Sequence, residues 1–273
     1  MKKYKDKDWL QKEYWERGRT QQDIARKCEV YNSTISRWVH RFGLQKYLTE
    51  EEAQTNPLNW NKEIAYLSGL ITSDGSLCRD RRGQTDTLRI GFTSSDYSLI
   101  LQVKEMAENN LNVNNRIIKS NHDVYRYRFT SRRFYYFLED IGLMPNKSHK
   151  LEALNISDNM FLDWLRGEID GDGCFGIYRS YLLLKIYSSS SSFLKWISEE
   201  LKSRKLIKGE GNVNEYDVKG YQCTKSYQLA FADQDSKCIA NAIYKNANYY
   251  LQRKYDIVKE FINVPESENI SSR

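Results

Sequence analysis

The chain has 273 residues, of which 40% are hydrophobic and 29% are charged, so it is long and apolar enough to build a globular core. No apolar run approaches the roughly 18 residues that a membrane span requires, and no apolar segment of a secretory signal follows the basic amino terminus. The five cysteines and three histidines lack metal-ligand spacing. This pattern favours neither a disulfide framework nor a zinc site, and it predicts a reducing, intracellular setting.

The net charge of +6 is concentrated at the amino end of the chain. Residues 1–46 contain 12 Lys and Arg against 6 Asp and Glu, whereas the remainder is electrically balanced. This asymmetry predicts a separate amino-terminal module, residues 1–46, that binds a polyanion. An acidic run and a proline over residues 47–60 are typical of a linker.

Three short helices are predicted in this module, in the segments WLQKEYWERG, TQQDIARKC and STISRWVHRF. Thr20 and Ser33 are the expected N-caps of the second and third helices. The apolar spacing and the tight EVYN connection resemble a helix-turn-helix DNA-binding module, although Glu29 begins the turn where glycine is common. A generic helical hairpin is the alternative.

The helix-turn-helix resemblance implies that the third helix enters the DNA major groove. The residues expected on its DNA-facing side are Ser33, Thr34, Ser36, Arg37 and His40. For Arg37, reading a base and contacting only a phosphate both stay open.

A repeated segment organises the rest of the chain. LSGLITSDGSL, residues 67–77, recurs without a gap as LRGEIDGDGCF, residues 165–175. Each copy is followed by two predicted strands, a helix, two more strands and a helix, the last of them a single long helix over residues 236–262. The predicted fold class is therefore α+β, with αββαββα repeats over residues 61–150 and 151–264 and a tail at 265–273, in addition to the small all-α module.

Both copies end a predicted helix with an acid, Asp74 or Asp172, where the helix dipole disfavours a carboxylate by up to about 1 kcal/mol. Small residues spaced as GxxxG at 167–171, and similarly at 69–73, allow two helices to pack closely. Packed side by side, the two carboxylates repel each other and raise each other's pKa unless a cation neutralises them. The pattern predicts a shared Mg²⁺ site. A pair of core helices whose acids only cap is the alternative.

Over about residues 60–262 the chain resembles the LAGLIDADG homing endonucleases, because it contains two copies of their motif with the same downstream pattern. The resemblance implies two pseudo-twofold repeats that form a saddle-shaped sheet platform along the DNA major groove. It implies a monomer that cuts both strands of a long, asymmetric double-stranded site. The first copy departs from the motif at Thr72, where the second keeps Asp170.

The resemblance also assigns roles to residues of the two motifs. Asp74 and Asp172 are expected to be catalytic and to bind Mg²⁺ or Mn²⁺, with the backbone carbonyls of Ser73 and Gly171 as further ligands. Arg132 is the candidate for organising water at the scissile phosphate.

A larger set of residues is expected to contact DNA. Lys147 and Lys254 are further candidates for organising water at the scissile group, although each is more expected to be a phosphate contact or a solvated surface lysine. Strand alternation places Arg126 and Arg128 opposite the core side of their strand. The other expected contacts on the saddle are Arg82, Arg89, Tyr178, Lys185, Tyr187 and Gln228.

Two further functions use the same fold. A DNA-binding regulator that has lost the acids is disfavoured, because both acids are present. An RNA-splicing maturase that binds intron RNA stays open. The polar Arg166 and Glu168 have no explanation in a helix that is otherwise predicted to be buried.

Overall fold

The computed structural model describes residues 2–17, 19, 21–44, 58–80, 87–120, 123–216 and 225–262. The chain divides into two compact units, Met1–Glu52 and Ala53–Arg273. Most of the predicted linker and the whole predicted tail lie outside the described residues. In the part of the chain that is described, every helix is too short or too polar to cross a lipid bilayer.

The smaller unit is helical. Its helices are α1 (Lys7–Gln11), which a π-helical turn (Lys12–Glu16) extends, α2 (Gln21–Lys27) and α3 (Asn32–Arg41). Leu10, Ile24 and Ile35 are fully buried and form its core. The unit thus has a hydrophobic core of its own.

The connection between α2 and α3 has the geometry of a tight turn. Glu29 adopts a left-handed conformation, with φ +54°, which explains why glycine is common at this position of such turns. Helix α3 begins at Asn32, so the prediction of Ser33 as its N-cap is wrong, and Ser33 lies in the first turn. Thr20, the other predicted N-cap, lies outside the described residues.

The larger unit consists of two repeats of the predicted order. The first contains α4 (Lys62–Ser73), β1 (Gly75–Asp80), β2 (Thr87–Ser94), α5 (Tyr97–Leu111), β3 (Ile117–Lys119), β4 (Tyr125–Phe129) and α6 (Arg132–Asp140). The second contains α7 (Phe161–Asp172), β5 (Gly173–Tyr178), β6 (Tyr181–Ser188), α8 (Ser191–Ser203), β7 (Asn212–Tyr216), β8 (Ser226–Ala232), α9 (Gln234–Tyr244) and α10 (Gln252–Val258). The α+β fold class is therefore confirmed.

The two sheets have the same layout. Each has four antiparallel strands, in the orders β1-β2-β4-β3 and β5-β6-β8-β7. Leu88, Ile90 and Phe92 alternate along β2 and are buried, as their period of two predicts. Helices α5 and α6 pack on this side of the first sheet, and α8 and α9 pack on the matching side of the second. Helices α4 and α7 lie against each other in one continuous core.

The prediction of one long helix over residues 236–262 is wrong, because the chain breaks between α9 and α10. Lys245 ends α9 in an extended conformation, and Asn246 is left-handed with φ +58°. Asparagine tolerates this region better than most residues, so the polar segment after Tyr244 can turn. The break directs α10 toward the ends of the motif helices.

Candidate active site

The two motif helices cross in backbone contact at a pair of glycines. A Cβ atom on Gly69 would lie 3.0 Å from the Cα of Gly167 and would overlap the carbonyl oxygen of Trp164. A Cβ on Gly167 would likewise overlap the carbonyl oxygen of Tyr66. Because only glycine leaves room for this approach, the small residues fix the crossing point and bring the carboxyl-terminal ends of α4 and α7 together.

An acid lies at the end of each motif helix. Asp74 is the C-cap of α4, and Asp172 is the last residue of α7. A Cβ on Gly171 would lie 3.5 Å from Asp74 Oδ2, so the Asp74 carboxylate adjoins the residue before Asp172. Desolvation by the surrounding protein raises the pKa of Asp74. Burial, together with the negative charge of Asp74, raises the pKa of Asp172 to about 6.

A buried lysine binds the end of each motif helix. Lys147 Nζ donates hydrogen bonds to the carbonyl oxygens of Gly75 at 2.6 Å and Ser73 at 3.3 Å. Lys254 Nζ donates to the equivalent carbonyls of the second copy, Gly173 at 2.6 Å and Gly171 at 3.3 Å. The last carbonyls of a helix have no partner within the helix, and these ammonium groups supply one.

The burial of both lysines corrects the sequence prediction. Lys147 and Lys254 are 7% and 3% exposed, so the expectation of solvated surface lysines is wrong. Burial lowers the pKa of Lys147, and it lowers the pKa of Lys254 to about 8. Neither lysine lies near a motif in the sequence; Lys147 follows α6 in the first repeat, and Lys254 lies on α10 in the second. The repeat gives no signal for them, because their positions depend on how distant segments pack.

Asp170 has a structural role that its counterpart cannot fill. Its Oδ2 accepts hydrogen bonds from the Tyr66 hydroxyl and the Leu251 backbone amide, both at 2.8 Å, and its Oδ1 accepts one from the Tyr244 hydroxyl at 3.3 Å. The equivalent Thr72 instead accepts a hydrogen bond from the indole of Trp164 at 3.3 Å. The departure of the first copy from the motif thus reflects different packing partners.

Arg166 is buried and fully engaged. Its Nη1 donates to the carbonyl of Ile243 at 2.7 Å and its Nε to that of Tyr249 at 2.9 Å. Its Nη2 lies 2.7 Å from Asp163 Oδ1 in an ion pair. Arg166 therefore joins α7 to the end of α9 and the chain that follows it, which explains its place in a buried helix.

Glu168 forms a third acid behind the pair. It is fully buried, and none of the described residues donates a hydrogen bond to its Oε2. Burial raises the pKa of Glu168 well above its usual range, and the charges of Asp172 and Asp74 add to this effect against the opposing charge of Lys147. The equivalent residue of the first copy is the apolar Leu70, so the acid is specific to one side.

The cations around the pair differ from the predicted set. The charges that oppose the rise in the Asp74 pKa come from Lys254, Lys147 and Arg253. Arg253, on α10, was not predicted. Arg132 begins α6 and is half-buried, and it is not among these cations.

The donor set suits a hard divalent cation. Among the described residues, no group of three or more His, Cys, Asp or Glu side chains could hold a metal ion. A cation at this site would therefore be held by the two aspartates, by carbonyl oxygens such as those of Ser73 and Gly171, and by water. Mg²⁺ and Mn²⁺ accept one or two carboxylates with retained waters, so the residues fit such an ion.

A polar cavity of about 190 Å³ lies beside Asp172. Its lining includes Thr72, Ser73, Lys147, Ser148, Tyr187 and Ser188. The cavity therefore joins the ends of both motif helices to strand β6.

The side of each sheet turned away from the helices α5, α6, α8 and α9 is called here an open face. Open face 1 comprises Cys78, Asp80, Arg89, Thr93, Arg126 and Arg128. Open face 2 comprises Tyr178, Leu183, Lys185, Tyr187, Asn214 and Gln228. All the predicted saddle residues that the structure describes lie on these faces, and Arg82 lies outside the described residues.

The predicted DNA-facing residues of the smaller unit lie on α3. Ser33 and Arg37 are exposed, and Thr34 and Ser36 are half-buried. For His40, only the backbone is described, and it is helical. Ile35 and Val39 are one helical turn apart and are both buried, so the side of α3 that carries Ser33 and Arg37 is polar.

A buried acid holds the smaller unit together. Glu13 is 1% exposed and accepts hydrogen bonds from Lys27 at 3.0 Å and Arg17 at 2.5 Å, with Arg19 at 2.8 Å in an ion pair. Burial alone would raise the pKa of Glu13, but these three cations hold it below its usual value. Three of the unit's basic residues are thus engaged with an internal acid.

Comparisons with known proteins agree with the repeat architecture. Residues 61–142 match the family model of the LAGLIDADG-like domain, and the comparison with curated protein sequences gave no match. A variant of I-DmoI in complex with its target DNA in the presence of Mg is 19% identical, with a TM-score of 0.52, over 68% of this chain and 97% of that chain. I-DmoI in complex with DNA and Mn is 17% identical, with a TM-score of 0.50, over 68% and 98%.

The homing endonuclease I-WcaI bound to its DNA recognition sequence is 11% identical, with a TM-score of 0.50, over 75% of this chain and 89% of that chain. At these identities the likeness concerns the fold. Residues 61–142 thus match the LAGLIDADG-like domain, and the larger unit has the fold of the LAGLIDADG homing endonucleases.

Proposed function

We propose that the chain is a site-specific DNA endonuclease that hydrolyses a phosphodiester bond in each strand of its target. One observation carries the proposal: Asp74 and Asp172 converge at adjoining helix ends, where burial and mutual repulsion raise the Asp172 pKa to about 6. This arrangement costs folding free energy, and such costs concentrate at functional sites. A bound divalent cation would remove the repulsion.

The cation would be held by the carboxylates of Asp74 and Asp172 and by the carbonyls of Ser73 and Gly171. Bound Mg²⁺ or Mn²⁺ supplies an activated water and neutralises charge on the reacting phosphate. The structures of I-DmoI, which has a similar fold, were determined with DNA and Mn or in the presence of Mg, and this supports the choice of ion.

The two buried lysines position this centre. By binding the carbonyls of Ser73 and Gly171 in the last turns of α4 and α7, and those of Gly75 and Gly173 just after them, Lys147 and Lys254 fix the helix ends that carry the acids. Their positive charges also oppose the rise in the pKa of Asp172 and so favour the ionised carboxylates that a cation requires. We also propose that Arg132, at the start of α6, organises water at the scissile phosphate.

The DNA would lie along both open faces. A single chain supplies both repeats, so it would act as a monomer on a long asymmetric duplex. We propose that the smaller unit is a helix-turn-helix module whose helix α3 enters the major groove through Ser33, Thr34, Ser36, Arg37 and His40, with residues 47–60 as the linker. The exposed, polar side of α3 and the net positive charge of residues 1–46 support this role.

A library of randomised duplex targets in supercoiled plasmids tests the proposal. The wild type should cut selected sites in Mg²⁺ and not in a chelator, and Asp74→Asn and Asp172→Asn should each abolish cutting. Asp158→Asn is the matched control, because Asp158 is a fully exposed acid. Asparagine keeps the size of aspartate, so circular dichroism should show all three variants folded.

The result also separates the alternatives. Selected binding without Mg²⁺-dependent cutting would favour a DNA-binding regulator. Binding of folded intron RNA with faster splicing would favour a maturase. If the Asp74→Asn and Asp172→Asn variants still cut the sites that the wild type cuts, the proposed centre is overturned.

A further inference from the structure

The two open faces carry different chemistry although their strands are laid out identically. Residues directly opposite each other in antiparallel strands share a face, so the register assigns the side chains. Among the described residues, open face 1 carries three guanidinium groups. Open face 2 carries one cation, Lys185, together with carboxamide, aromatic and aliphatic side chains. The two halves of a bound duplex would thus contact different kinds of side chain.

Each arginine of open face 1 has a defined neighbour on the adjacent strand. Arg128 lies opposite Gly91 and passes over it, since a Cβ on Gly91 would be in ordinary van der Waals contact with Arg128 Cγ at 3.5 Å. Arg126 lies opposite Thr93 in the same pair of strands. Arg89 is paired with Asp80 at 3.2 Å and keeps 48% of its side chain exposed. The ion pair orients this guanidinium without hiding it.

Open face 2 carries a row of neutral hydrogen-bonding groups across three strands. Gln228 on β8 lies opposite Tyr187 on β6 and opposite Asn214 on β7. Leu183 lies on the same face, and Tyr178, near the β5–β6 turn, is 58% exposed. This face therefore offers apolar surface and two carboxamides, of which Asn214 is exposed and Gln228 is half-buried with its Oε1 shielded from solvent.

These side chains prefer different bases in the major groove. Arginine donates two hydrogen bonds to the O6 and N7 atoms of guanine. Asparagine and glutamine pair with the N6 and N7 atoms of adenine, and apolar groups contact the thymine methyl. Resting on the proposed endonuclease function, we infer that the first repeat reads a guanine-containing half-site and the second repeat reads an A·T-rich half-site. The target would be asymmetric in base composition.

Selection of bound sites by the full-length chain tests the inference. Duplexes are recovered from a random library in Ca²⁺ and sequenced, first with the wild type and then with Arg126→Gln, Arg128→Gln, Asn214→Ala and Gln228→Ala. The arginine variants should lose about tenfold preference at one or two guanines within one half-site. The carboxamide variants should relax adenine preference within the other half. Circular dichroism should show that each variant is folded.

Modified bases separate base reading from phosphate contact. Replacing a selected guanine by 7-deazaguanine removes the N7 acceptor and leaves the phosphates unchanged. Wild-type affinity should fall several-fold, and the arginine variant that reads this guanine should be insensitive. In the half-site that the second repeat contacts, replacing thymine by uracil removes only the methyl group and should weaken binding modestly.

Three results overturn the inference. The half-site mapped by the arginine variants could be no richer in guanine than the other, the arginine variants could weaken binding equally for all sequences, or 7-deazaguanine could have no effect. Each would leave the endonuclease proposal standing if selected sites are still cut. Failure of the endonuclease proposal is a different result, in which selected duplexes are bound and never cut.

Discussion

Replacing Glu168 by leucine should stabilise the larger unit at neutral pH. The wild-type carboxyl is fully buried, and its Oε2 accepts no hydrogen bond from the described residues. An unsatisfied buried polar group costs about 1–3 kcal/mol, and leucine restores the apolar side chain found at the equivalent Leu70. Glu168→Leu should therefore raise the free energy of unfolding by about 1–3 kcal/mol near pH 4, where the carboxyl is neutral in both states, and by more at pH 7, as measured by urea denaturation of the metal-free protein.

The gain should depend on pH. Burial raises the pKa of Glu168 in the folded state, so above about pH 4.5 the folded protein holds a proton that the unfolded chain has released. The contribution of this proton to wild-type stability is thus complete below the pKa that Glu168 has in the unfolded chain. It is lost as the pH rises toward the higher pKa that Glu168 has in the folded protein. The loss approaches about 1.4 kcal/mol per pH unit. The advantage of Glu168→Leu should accordingly grow between pH 5 and pH 7.

Glu168→Gln is the matched control. Glutamine cannot ionise but remains polar, so it should remove this part of the pH dependence without the full gain in stability. The reasoning is refuted if Glu168→Leu is less stable than the wild type at every pH, or if its advantage is constant from pH 5 to pH 7. Either result would mean that Glu168 is ionised and well compensated in the folded protein.

Three further changes test other parts of the structure. Gly69→Ala should cost about 3 kcal/mol in urea denaturation because its Cβ would overlap the carbonyl oxygen of Trp164, whereas Gly176→Ala, which faces open space, should cost little; equal effects would contradict the close crossing. Glu29→Gly should stabilise the smaller unit by roughly 0.5–1 kcal/mol in thermal denaturation, because it relieves a positive φ, and an unchanged melting temperature would argue against that strain. Because the pKa of Asp172 is raised to about 6, Mg²⁺ affinity measured by calorimetry should fall as pH is lowered through 6, and a constant affinity from pH 5 to pH 7.5 would exclude this carboxylate as a ligand.

Local periodicity and the repeat predict most of the fold. Alternation along β2 places Leu88, Ile90 and Phe92 in the core, and the structure confirms this. The fixed offset between the two motifs predicts that α4 and α7 are equivalent, and their glycines predict the close crossing. These signals are readable because each depends on spacing within one short segment.

Other features depend on contacts between distant segments and were not predictable. The break between α9 and α10 lies in a sequence compatible with helix, but it lets the Leu251 amide reach Asp170. The positions of Lys147 and Lys254 follow from the packing of loops and helices onto the ends of α4 and α7. Arg166 is similar, because its carbonyl partners belong to α9 and the segment after it. A single sequence contains no local signal for such pairings.

The lysine that binds the end of α7 comes from α10, the last helix of the described chain. Ribosomes add about 5–20 residues per second, so Lys254 emerges roughly 10 to 40 seconds after Asp74. During that interval the nascent polypeptide already carries a carboxylate at the end of α4, while the second half of the centre still lacks its cap. A newly made chain would therefore complete the proposed metal centre only after translation has passed residue 254, and a product terminated before that residue would lack the lysine that caps α7.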